Sequence, residues 1–109
     1  MANTRSFWEI VQDIDPEYYE RAWRFREYVL ADGAMPSKYK ELVALAISCD
    51  KLYTQGMLRH ASRALVAGAS RREIFEVIAL LYATSGGAVF ANAVEILGSI
   101  LCEVTDDHH

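Results

Sequence analysis

The stretch from Glu41 to His60 constrains this chain most. It reads Glu-Leu-Val-Ala-Leu-Ala-Ile-Ser-Cys49, then Asp50-Lys51, then a second run through Tyr53 and Met57. Apolar residues recur at three- and four-residue spacing on both sides of Asp50-Lys51, the period of a helix with one buried face. Two such helices on a short connection pack antiparallel, so residues equidistant from the turn stand at the same height. Glu41 and His60 are such a pair, roughly 14 Å above the turn at 1.5 Å per residue. A carboxylate and an imidazole thereby face each other between apolar helices. Such a pair either fixes helix register or does acid–base chemistry.

The chain has 109 residues, of which 52% are hydrophobic. That length and composition suit a single domain, residues 1–109, with a generous core. The formal charge of −4 is spread out, and no basic patch interleaved with aromatics occurs, so nucleic acid is not an expected partner. Cys49 and Cys102 lie far apart without a partner motif, which points to a reducing compartment, the cytoplasm, rather than a disulfide scaffold. The first residues lack the basic-then-apolar pattern of a secretion signal. Residues 78–101 carry one charge, Glu95, but Ser85-Gly86-Gly87 divides them, so no membrane span is expected. The final Thr-Asp-Asp-His108-His109 is a polar tail whose histidines fit a purification-tag remnant.

Helix signals run throughout. A short amphipathic helix is expected from Ser6 to Ile14. Asp15-Pro16-Glu17 then supplies a capping acid, a proline at the first helical position and a second acid near the dipole's positive end. The second helix runs to about Ala31 and stops at Gly33. Its aromatics, among them Tyr18, Tyr19, Trp23 and Phe25, read as a bulky lid over the hairpin or as a ligand platform. After the linker Gly33-Ala-Met-Pro36, Ser37 is the expected cap of a helix to about Cys49. Its partner spans Tyr53 to Ala67 and ends at Gly68, a natural left-handed cap. Ser70-Arg-Arg-Glu73 is a capping box opening the next helix. The last helix, about Ala88 to Glu103, is apolar nearly all round and needs partners on more than one side, most simply another subunit. With no strand pattern and no metal-ligand cluster, the expected class is all-α with about six helices around a central antiparallel hairpin.

Taken together, Lys38-x-Lys40-Glu41-Leu-x-x-Leu-Ala, His60-x-x-x-Ala64-Leu-x-x-Gly68-Ala-Ser-x-x-Glu73-Ile and Gly86-Gly87 resemble the carboxymuconolactone decarboxylase / AhpD-like alkylhydroperoxidase superfamily over residues 33–101. In its peroxidase branch the pattern is Glu, eleven residues, Cys-x-x-Cys, three residues, His. This chain keeps that frame with Tyr53-Thr-Gln-Gly56 in place of the cysteine pair. A dithiol peroxidase needs an attacking thiolate and a resolving thiol one turn apart, so that activity is not expected. The decarboxylase branch lacks the pair too, but carries a further histidine where this chain has Leu80.

The resemblance implies a homo-oligomer, trimer or hexamer, acting on a small organic acid or lactone without cofactor or metal. Glu41, desolvated between helices, is the candidate proton carrier, His60 the acid or electrostatic stabiliser, and Tyr53 a third donor. Ser48, Gly56, Met57 and Arg59 are candidate substrate contacts. Gly56 leaves space for a ligand; Arg59 and Arg63 either anchor a substrate carboxylate or form a solvated basic face. Decarboxylation, isomerisation and related lyase steps all suit such a set. Two other readings stand beside it: a non-catalytic assembly or ligand-binding module of the same fold, and a peroxidase-like activity through the single thiol of Cys49.

Overall fold

A computed structural model describes residues 5–102, so Thr105, His108, His109 and the rest of the polar tail lie outside the described residues. Those residues form seven helices and no strand, an all-α fold: α1 (Phe7–Ile14), α2 (Pro16–Leu30), α3 (Ser37–Asp50), α4 (Thr54–Val66), α5 (Arg71–Thr84), α6 (Gly87–Ile96) and α7 (Gly98–Leu101). None is long and apolar enough to cross a membrane.

The helices fall into two compact units, one ending at Ala31 and the other beginning at Asp32. In the first, Ser6 and Glu9 form a reciprocal cap that opens α1. The Asp15 carboxylate accepts from the Tyr18 amide and, with Pro16, opens α2. Trp8 of α1 stands edge-on to Tyr19 and Trp23, 5.8 and 5.7 Å between ring centroids, while Tyr18 and Phe25 of the expected aromatic face are exposed.

The second unit is built on the α3–α4 hairpin. Leu42, Leu45 and Cys49 of α3 meet Met57, Ala61 and Ala64 of α4, and Ile74, Ile78, Leu81, Ala93 and Leu97 complete the core. Small residues on α4 permit close approach of the two backbones. Ser37 does not cap α3. Pro36 takes the cap position, and the Asp32 carboxylate accepts from the Ser37 amide at 2.7 Å. The helix ends in a Schellman turn: the Tyr53 amide donates to the Ser48 carbonyl, the Leu52 amide to that of Cys49, and Leu52 itself adopts φ +58°. The same turn closes α4, there with Gly68 at φ +106° and Ala69 bonded back to Ala64. The Ser70–Glu73 capping box opens α5, and Glu73 also takes the Lys38 ammonium of α3 at 3.3 Å.

The single C-terminal helix expected from the apolar run is instead two. The helix α6 ends at Ile96, and Leu97, fully buried, hands the chain to α7. Anchoring Leu97 in the core outweighs continuity, which Gly98 weakens further by its poor helix propensity.

Candidate active site

Glu41 occupies the hairpin-facing stripe of α3 with Leu45 and Ser48, and is 2% exposed. His60 and Arg63 stand one turn apart on α4. The hairpin register brings them to opposite sides of one carboxylate. His60 Nδ1 lies 2.8 Å from Glu41 Oε1, and Arg63 Nε donates to Oε2 at 3.2 Å. A dry carboxylate is costly unless it is paired and hydrogen-bonded, and here both oxygens have a donor in reach. Because Nδ1 faces a carboxylate, the proton of a neutral imidazole belongs on Nδ1, which leaves the lone pair on Nε2.

Arg63 is the partner that residue spacing alone did not assign to Glu41. The available signal was its position three residues after His60, on the same face. Its guanidinium also borders an open depression of about 310 Å³ that is shared with Ser37, Glu41, Val66 and Ala67.

The remaining expected site residues lie elsewhere. Tyr53 precedes the first turn of α4 and is 44% exposed, and among the described residues no hydrogen bond joins it to His60 or Glu41. Two turns of helix separate it from His60. The space expected at Gly56 is filled: a Cβ there would come within 2.5 Å of Ser48 Oγ and 2.6 Å of Tyr53 Cδ2. Glycine is needed because the Tyr53 ring and the Ser48 hydroxyl close over the backbone, so the position admits no ligand in this packing. Ser48 is buried against that glycine, and Met57 is fully buried in the core. Arg59 is half-buried and does not line the depression. No three His, Cys, Asp or Glu side chains among the described residues are grouped as metal ligands.

Cys49 is fully buried, and burial pushes its thiol up to about 11. At neutral pH it is a small hydrophobe without appreciable thiolate, a state that lends a single-thiol peroxidase no support.

An uncharacterized protein of Cupriavidus necator is 38% identical over 56 residues, 51% of this chain and 50% of that protein, so the match spans about half the length of each. The sequence profile of the carboxymuconolactone decarboxylase family matches residues 16–98, which includes the whole hairpin and starts within α2, well before the linker. Over that span the chain carries the family's helical core with the Glu41–His60 pair in hydrogen-bond contact, and it belongs to the carboxymuconolactone decarboxylase family.

Proposed function

We propose that this chain is a cofactor-independent acid–base enzyme acting on a small organic acid or lactone, by decarboxylation, isomerisation or a related lyase step. The observation that carries the reading is the 2.8 Å contact between His60 Nδ1 and the buried Glu41 carboxylate. In this role Glu41 orients the imidazole through Nδ1, while Nε2 takes a proton from carbon or water and returns it to the product. This revises the division of labour expected from sequence, in which Glu41 itself carried the proton. The reading includes a cytoplasmic setting, in keeping with two free cysteines, and assembly into a trimer or hexamer.

The test is turnover of unsaturated organic acids and their lactones. His60→Asn keeps a side chain of similar polarity and is expected to lower turnover by about 10²- to 10⁴-fold with the fold intact. Glu41→Gln is expected to act in the same direction, with an added loss of stability because Arg63 is left without its counter-charge. Turnover unchanged in a folded His60→Asn variant overturns the proposal.

The filled space at Gly56 favours a second reading, a non-catalytic module in which Glu41, His60 and Arg63 fix hairpin register. That reading predicts large stability losses in both variants and no turnover of any acid or lactone by the parent chain.

A further inference from the structure

The depression beside Glu41 lies between the start of α3 and the end of α4, and α4 gives it a cation next to two apolar residues. Arg63 donates to Glu41 through its Nε, and its side chain stays 38% exposed. A guanidinium carries five N–H donors in a planar fork, so the Nη1/Nη2 edge retains donors parallel to one another and matched to a second carboxylate. The Glu41 carboxylate that receives this Nε is buried and is met from its other oxygen by His60, which does not itself line the depression. Val66 and Ala67 follow Arg63 by three and four residues on the same face of α4, and Ser37 and Glu41 of α3 complete the lining. Val66, the last residue of α4, is 90% exposed. The volume of about 310 Å³ is at the small end for ligand sites and suits a molecule of few heavy atoms.

We propose that this depression binds a short aliphatic carboxylate, its anionic end held bidentately by the outer edge of Arg63 and its alkyl part laid on Val66 and Ala67. Glu41 then has two roles through two neighbours: it orients His60 through Oε1 and Arg63 through Oε2. The inference deepens the acid–base reading and rests on it for the claim that the bound acid is a reactant. Binding is measured without turnover, so the two fail separately.

The experiment is a nuclear magnetic resonance titration of the full chain with acetate, propionate and butyrate at constant ionic strength, following the Arg63 Nε–H and the Val66 methyls. Saturable shifts at both reporters are expected, with affinity rising about two- to fourfold per added methylene. Arg63→Lys is expected to weaken binding about tenfold, because an ammonium cannot form the paired bonds. Val66→Ser is expected to keep acetate binding and flatten the chain-length series. It lies outside the Glu41–His60 pair and serves as the folded control if Arg63 variants are unstable. Shifts that do not saturate, or a chain-length series unchanged in Val66→Ser, overturn the proposal. Turnover lost in His60→Asn while butyrate still binds separates the anchor from the chemistry.

Discussion

At Gly56 a hydrogen atom stands where any other residue would place carbon. A Cβ needs both the Ser48 hydroxyl and the Tyr53 ring to move, since contacts of 2.5 and 2.6 Å are below what packing tolerates. Alanine gains up to about 1 kcal/mol in helix propensity, but overpacking typically costs about 1–3 kcal/mol. Gly56→Ala is therefore expected to destabilise by about 1 kcal/mol net, read as a lower melting temperature. Cys49 makes a second prediction. Its buried thiol stays protonated up to about 11, whereas in the unfolded chain it ionises near its ordinary 9.0. Between those values the folded state binds more protons, so stability falls as pH rises. By pH 11 the loss reaches about 2–3 kcal/mol. In Cys49→Ala that alkaline slope should shrink in denaturant melts, leaving the part owed to Lys38, and a thiol reagent at neutral pH should label exposed Cys102 before Cys49. Glu41 and His60 were legible as a pair because antiparallel geometry alone sets their height. Arg63 was not, because a surface-facing arginine on an amphipathic helix ordinarily marks solvent, and only the third dimension shows its Nε turned inward.

Element boundaries followed the chain's punctuation wherever it had local chemistry. Asp15-Pro16, Gly68 and the Ser70–Glu73 box each start or stop a helix as their side chains require. The punctuation failed at Leu97, a good helix former that breaks the last helix because the core claims it. It also failed at Ser37, displaced from the cap by Pro36 and served by Asp32 from five residues upstream. The turn after α3 is the place where sequence and backbone disagree most. Leu52 holds φ +58°, a left-handed conformation that costs a non-glycine residue about 1–2 kcal/mol. Its side chain is exposed and gives little packing in return. Leu52→Gly removes that strain against an entropic penalty of about 0.5–1 kcal/mol. A net gain of about 0.5–1 kcal/mol is expected, measured as a higher denaturant midpoint at unchanged slope.

For the whole molecule, the apolar surface left over on α3 is the outstanding feature. Tyr39, Val43 and Ile47 recur every fourth residue along one face and are each about half exposed. With the trimer or hexamer proposed above, this stripe is the natural seam. Native mass spectrometry should find the oligomer in the parent chain and a smaller species after Val43→Lys with Ile47→Lys; a parent monomer would count against assembly altogether. The compact units divide at Ala31 and Asp32, close to the linker read from Gly33 to Pro36, and the family match runs from residue 16 to residue 98. The hairpin supplies Glu41, His60 and Arg63 from positions only 19 and 22 residues apart. Contacts so local close quickly and at small entropic cost. The polar cluster is thus a self-contained cassette: it can form before assembly, survive a change of quaternary partner, and be handed to a new reaction by altering the rim alone.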